Sequence, residues 1–261
     1  MGAILNNRIV KWFLAYVIVF CGTGWALWAY YQHEYPTCTF RYKLTAEVQT
    51  PDGVKTGSSV LEVSYSHNGD WGGGPHPALT LTGQATYIDL GSGKNLFLLL
   101  TNRDSGRNSQ MDNRDGNFEH AGGALTAFSL PIKIFGLEWF YGQEPKLCSD
   151  LAIASASGPI VVPIGNLPTL VTFSDINDYT SVKVVQPSEL ETDIGMGYKL
   201  LDARIEAANE PVSHNIEQIL TWWTTIKVKW IHRGFAINDP LIFKLGYTAF
   251  RGFQKSDDRD K

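Results

Sequence analysis

The strongest pattern along the chain is an unbroken apolar run near its start. From Ile9 to Tyr30 it reads IVKWFLAYVIVFCGTGWALWAY, and Lys11 is the only charge. These 22 residues, at about 1.5 Å rise each, reach roughly 33 Å as a helix, enough for the ~30 Å hydrocarbon layer. Trp12 at one end and Trp25, Trp28, Tyr30 and Tyr31 at the other fall where interfacial aromatic belts form. Arg8 and Lys11 precede the run and Glu34 is the first charge after it. The positive-inside rule then puts the N-terminus in the cytoplasm and the chain after Tyr31 outside. A buried core helix fits poorly, since no face of the run is polar. A cleaved signal peptide is the closer rival, but the run outlasts an h-region of about 7–15 residues. Its end is also crowded with Trp25, Trp28 and Tyr30, although Ala26 and Ala29 leave room for cleavage. The expectation is an uncleaved anchor.

After the anchor the period changes to two. Phe40, Tyr42, Leu44, Ala46 and Val48 alternate with Arg41, Lys43, Thr45 and Glu47, the mark of a half-buried strand. Pro51-Asp52-Gly53 predicts a turn and Ser59 to Tyr65 a returning strand, together a hairpin. Ala85–Leu90 and Asn95–Leu100, separated by Gly91-Ser92-Gly93, predict a second hairpin. Leu96 to Leu100 is apolar on both faces, as a central strand requires. Further strands are predicted at Thr169–Phe173, Val182–Val185 and Lys199–Ala207, the last with Leu201, Ala203, Ile205 and Ala207 facing inward.

Helical signals are sparser. Pro187-Ser188 followed by Glu191 has the form of a capping box, closed by Gly195 and Gly197. Pro211 through Ile226 carries Ile216, Ile219, Leu220 and Trp223 at helical spacing. The predicted architecture is an N-terminal transmembrane helix plus an exported α+β domain, mainly antiparallel β. In residue terms, 1–31 form the cytoplasmic N-terminus and anchor, 32–255 the periplasmic β-rich domain, and 256–261 (SDDRDK) a charged tail.

Composition narrows the functional classes. The chain has 261 residues, 44% hydrophobic and 18% charged, which suits a sizeable core. Lys+Arg 22 minus Asp+Glu 26 gives −4, so no basic excess exists for neutralising nucleic-acid phosphates. A mean hydropathy of −0.12 excludes a multi-span protein and leaves room for one span. Cys21 lies in the apolar run; Cys38 and Cys148 are the only cysteines beyond it. In an oxidising compartment that pair forms either a disulfide or two separate buried thiols. A bridge would contribute on the order of 4 kcal/mol in the chain-entropy model. No N-x-S/T sequon occurs, which makes a bacterial periplasm the simpler setting.

The stretch Phe40-Arg41-Tyr42-Lys43-Leu44-Thr45-Ala46-Glu47-Val48, running through Thr50-Pro51-Asp52-Gly53 to Gly57-Ser58-Ser59-Val60, resembles the opening of an uncharacterised family of bacterial single-span, membrane-anchored proteins. Leu170-Val171-Thr172-Phe173, Asp175-Ile176-Asn177-Asp178, Val185-Gln186-Pro187, Lys199-Leu200 and Glu210-Pro211-Val212 extend the likeness in patches. The resemblance implies topology and no activity. Asn102–Gly123 and the Trp-rich end after Leu220 depart from the pattern.

Candidate chemistry is thin. His67, Asp70, Trp71 and His76 lie in SHNGDWGGGPHP, whose two imidazoles and carboxylate suit zinc or copper but match no known spacing. Asp104–His120 is rich in carboxylates, yet setting the EF-hand glycine at Gly116 puts Met111 and Gly122 at ligand positions. Gly158–Gly165 (GPIVVPIG) lacks the Lys-Ser/Thr of a phosphate loop. Glu138 and Glu144 flank Trp139, Phe140 and Tyr141, either a sugar-binding pair of carboxylates or a core aromatic cluster. No G-x-S-x-G, Ser-x-x-Lys or H-E-x-x-H occurs, so no catalytic, cofactor or metal residues are assigned. Between Glu217 and Lys255, six basic residues outnumber two acidic ones (6 − 2 = +4) among interleaved aromatics. Lys227, Lys229, Trp230 and Arg233 are the candidate contacts to a partner or an anionic membrane surface there.

The leading expectation is a non-catalytic, membrane-anchored periplasmic module that binds a protein partner, as an accessory subunit of an envelope complex or an inhibitor or immunity-type protein. The alternatives are an anchored envelope hydrolase, and a lipid or small-ligand carrier with an apolar cavity behind Leu96–Leu100.

Overall fold

The computed structural model describes residues 7–34, 36–68, 76–101, 126–140, 142–226 and 249–252. The apolar run forms α1 (Asn7–Glu34), exposed along almost its whole length. Within it, Val10–Tyr31 is long and apolar enough to cross a membrane, a form shared by transmembrane spans and signal sequences. The Thr23 hydroxyl turns back onto the carbonyls of Val19 and Phe20, which satisfies it inside the helix.

The rest is α+β, with two antiparallel sheets. The larger contains β1 (Cys38–Thr50), β2 (Gly53–Asn68), β3 (His76–Thr82), β6 (Ile160–Val161) and β9 (Lys199–Ala207), in the order β3-β2-β1-β9-β6. The smaller is a meander of β4 (Thr86–Gly91), β5 (Lys94–Leu98), β7 (Leu170–Phe173) and β8 (Val182–Val185). The β1/β2 hairpin closes on Pro51-Asp52, with Thr50 paired to Gly53. Gly53 adopts φ +111°, a left-handed conformation that other residues resist, and the Thr50 hydroxyl donates to its carbonyl at 2.7 Å.

Alternation along β1 builds the layers. Tyr42, Leu44, Ala46 and Val48 are buried, while the outward face carries ion pairs. Arg41 meets Glu62 at 2.6 Å, Lys43 meets Glu210 at 3.3 Å, and Arg204 meets Asp202 at 2.5 Å and Glu47 at 3.4 Å. Such exposed pairs contribute little each, and their main effect is to keep this face in water. The inner face packs against Ile88, Leu90, Leu96 and Leu98 of the smaller sheet. On that sheet's far side, Phe97, Leu99, Val171 and Phe173 pack against Trp222, Trp223, Ile226 and Phe250. Thus both faces of β5 are filled by side chains, which is why its sequence is apolar throughout.

Two contacts set how the sheets meet. A Cβ at Gly57 would overlap the Tyr87 carbonyl, so β2 approaches β4 closely only because residue 57 is glycine. Ser59 and Thr86 share a hydrogen bond of 2.5 Å beside it. Within the smaller sheet, buried Asn95 extends the ladder with its side chain, donating to Phe173 O (2.9 Å) and accepting from Phe173 N (2.8 Å).

Helices α2 (Thr126–Ile134) and α3 (Glu144–Ser155) cover the remaining inner face of the larger sheet. Helix α2 contains Pro131, which has no N–H to offer the carbonyl four residues earlier, that of Ala127. The buried Tyr42 hydroxyl donates to that carbonyl at 2.6 Å, and the Tyr65 hydroxyl donates to Phe128 O at 2.6 Å. Burial raises the pKa of both phenols, so they remain neutral donors; Tyr65 raises Tyr42 further.

Several details differ from the sequence pattern. Leu201 points outward, 47% exposed, because the β1–β9 register shifts between Glu47 and Val48, and Ala207 is exposed as well. The capping box at Pro187-Ser188 does not form; α4 is only Leu190–Asp193, and Glu189 occupies its N-cap. The helix predicted from Pro211 reduces to α5 (Ile216–Ile219) and a helical turn at 223–226.

If Tyr42 replaces the donor that Pro131 lacks, Tyr42→Phe should cost about 1–3 kcal/mol by stranding a buried carbonyl. Pro131→Ala supplies an N–H, so the same substitution in that background should cost measurably less. A urea-unfolding double-mutant cycle on the detergent-solubilised chain checks this; strictly additive losses would refute the replacement.

Candidate functional site

The densest set of unusual features lies at the end of the larger sheet nearest α1. Cys38 opens β1 four positions after Glu34, the last residue of α1. Its sulfur is bonded to that of Cys148, with S–S 2.08 Å and Cα–Cα 5.4 Å. Helix α3 is thereby tied to the first residue of β1. Glu144, Leu147, Leu151 and Ser155 form its buried stripe, at the spacing of one helical face. Glu144 lies in the first turn, where a carboxylate complements the helix dipole, and accepts from Gly142 N at 3.4 Å.

Between α2 and α3, residues 135–140 lie across the same end. Phe135 meets Phe40 edge-on at 6.1 Å, and Trp139 meets Tyr65 at 5.4 Å. Tyr65 is the register partner of Cys38, so these rings stand beside the disulfide. Phe140, next to Trp139, is 56% exposed.

The candidate carboxylate pair does not share an environment: Glu138 is exposed and Glu144 is fully buried. Trp139 belongs to the core layer around Tyr65. His67 and His76 stand on facing ends of β2 and β3, with His67 opposite Pro77 and Asn68 opposite His76, while Asp70 and Trp71 lie outside the described residues. Among the described residues, no three His, Cys, Asp or Glu gather as a metal site. Lys227, Lys229, Trp230 and Arg233 also lie outside the described residues, as do Asn102–Gly123 and the tail 256–261. Trp222 and Trp223, just before that segment, are core residues; Trp222 donates to Ile176 O at 2.8 Å.

A second feature was not legible from motifs. The GPIVVPIG stretch forms edge strand β6 and a 3-10 turn at Ile164–Asn166. Pro159 and Pro163 bracket β6, and neither can donate to an added strand, which guards the edge. Two aliphatic side chains at this edge stand in solvent, Val161 at 60% and Ile164 at 63% exposure. Ordinary hydropathy reading assigns such residues to a core; only the sheet order shows that they flank an outer edge.

The C-terminal segment is held on by polar contacts. The buried Gln84 carbonyl accepts from Ile216 N at 2.7 Å, its amide pairs with Asn215, and Arg251 pairs with Glu217. His214 sits in this cluster with its pKa lowered, by burial first and by the Arg251 charge second.

Two measurements follow from these placements. Cys148→Ser should lower stability by up to about 4–5 kcal/mol, the chain-entropy value for so long a loop, in urea unfolding of non-reduced protein. Native His214 binds its proton less readily than in the unfolded chain, whose value is 6.5. The contribution is therefore present above 6.5 and lost as pH falls below it. Thermal stability should fall over that window, and His214→Asn should flatten the dependence; an unchanged slope would remove His214 from the account. The chain matches no protein-family model, no curated protein and no solved structure, so the patchwise bacterial resemblance assigns it to no family.

Proposed function

We propose that this chain is a non-catalytic, membrane-anchored module whose folded domain lies in a bacterial periplasm and binds a protein partner, as an accessory subunit of an envelope complex or as an inhibitor. The observation that carries the reading is the pair of exposed aliphatic side chains Val161 and Ile164, on a proline-guarded sheet edge and the turn that follows it. Exposed aliphatic side chains on a sheet edge suit a protein contact surface, and the prolines favour side-chain docking over strand addition. Anchoring is supported by the exposed apolar helix, and export by a disulfide that suits an oxidising compartment. The filled faces of β5 favour this reading over a carrier, and the separate environments of Glu138 and Glu144 favour it over a sugar hydrolase.

Crosslinking mass spectrometry on native membranes tests the proposal. A stoichiometric protein crosslinked within residues 146–164, with yield cut about tenfold by Val161→Lys with Ile164→Asp, is the expected result. A lone chain carrying bound lipid or sugar would overturn it in favour of the carrier or hydrolase.

A further inference from the structure

We infer that the end of the larger sheet where α1 joins β1 rests on the bilayer surface, with Phe140 inserted among the lipid headgroups. The occupant is the same membrane that α1 enters, so the inference rests on the anchored reading of α1. Chain length supplies the first constraint. Four residue steps separate Glu34 from Cys38, a reach of at most about 14 Å. Cys38 therefore stays beside the interface wherever the rest of the domain points.

Rigid contacts carry that proximity to Phe140. Cys38 pairs with Tyr65 across the β1–β2 ladder, and the Tyr65 ring packs on Trp139 at 5.4 Å. Phe140 follows and is 56% exposed, although its neighbours Trp139 and Phe135 are packed inward. The disulfide holds the other side, since Cys148 lies 5.4 Å from Cys38 between Cα atoms. Lys146, two residues earlier, has a side chain 70% exposed. By contrast, the β1/β2 turn at Asp52 lies at the opposite end of a 13-residue strand, roughly 40 Å away at strand rise.

The chemistry favours the interfacial layer. Exposed Trp28, Tyr30 and Tyr31 on the last turns of α1 are typical belt residues, and exposed Phe140 on the sheet end that α1 leads into is of the same chemical type. Charge is not the main attraction: Lys146 pairs with Asp150 at 2.5 Å, and exposed Glu138 adjoins the site. Contact with zwitterionic lipid therefore suffices.

The test uses the full chain with Cys21→Ser and the native disulfide intact. A single reporter cysteine, Phe140→Cys, Lys146→Cys or Asp52→Cys, is labelled with an environment-sensitive fluorophore. Each variant is reconstituted in phosphatidylcholine vesicles containing lipid nitroxide-labelled near the headgroup. Quenching at positions 140 and 146 should exceed that at 52 by about threefold or more, given a headgroup layer only several ångströms deep. Lys146→Cys guards against a local effect of replacing Phe140. Protein that floats with the vesicles yet quenches equally at all three positions overturns the inference and leaves the anchor intact. Protein that does not float overturns the anchored reading and the inference together.

Discussion

The bond between Cys38 and Cys148 is the constraint on which the described structure turns. It joins residues 110 apart in sequence, and everything from β1 to α2 lies inside the loop it closes. It also fixes α3 to the first residue of the strand that pairs with both β2 and β9. Without it, α3 would rest on its buried stripe of Glu144, Leu147, Leu151 and Ser155. The same bond lies within four residues of the apolar helix. One covalent link therefore joins compartment chemistry, core packing and the position of the domain relative to α1.

Polar groups inside the domain are placed to complete backbone hydrogen bonding. Tyr42 serves the carbonyl that Pro131 leaves open, Asn95 stands in for missing ladder pairs between β5 and β7, and Gln84 docks the C-terminal segment. Each is buried, and each satisfies a main-chain group that would otherwise carry a desolvation penalty. This use of buried polarity is structural: Tyr42 and Glu144 are sealed inside, while Arg41 and Glu62 pair at the surface.

Much of the strand framework was readable because period-two alternation is a local signal. Phe40–Val48 and the hairpin at Pro51-Asp52-Gly53 lie where their patterns place them, and the apolar strand predicted at Asn95–Leu100 is β5, which ends at Leu98. The misses have physical causes. Helix α2 carries a proline and α3 turns Ile153 outward among small and polar residues, so neither shows a full amphipathic repeat. Leu201 depends on a register shift, which no single strand's pattern encodes. The candidate site was less legible still. Exposure of Phe140, Val161 and Ile164 follows from sheet order and a long-range disulfide, both non-local. The basic segment at Lys227–Arg233, which the sequence favoured for contact, lies outside the described residues.

The account stands or falls on topology, because an oxidised Cys38–Cys148 bond and an edge offered to envelope proteins both call for the domain outside the cytoplasm. The most direct measurement is labelling of Asp52→Cys, with Cys21→Ser, by a membrane-impermeant maleimide in intact cells permeabilised only in their outer membrane. The account predicts labelling at Asp52→Cys as strong as in lysed cells, in a chain that stays with the membrane after alkaline extraction. Labelling only after lysis would place the domain in the cytoplasm and contradict the account.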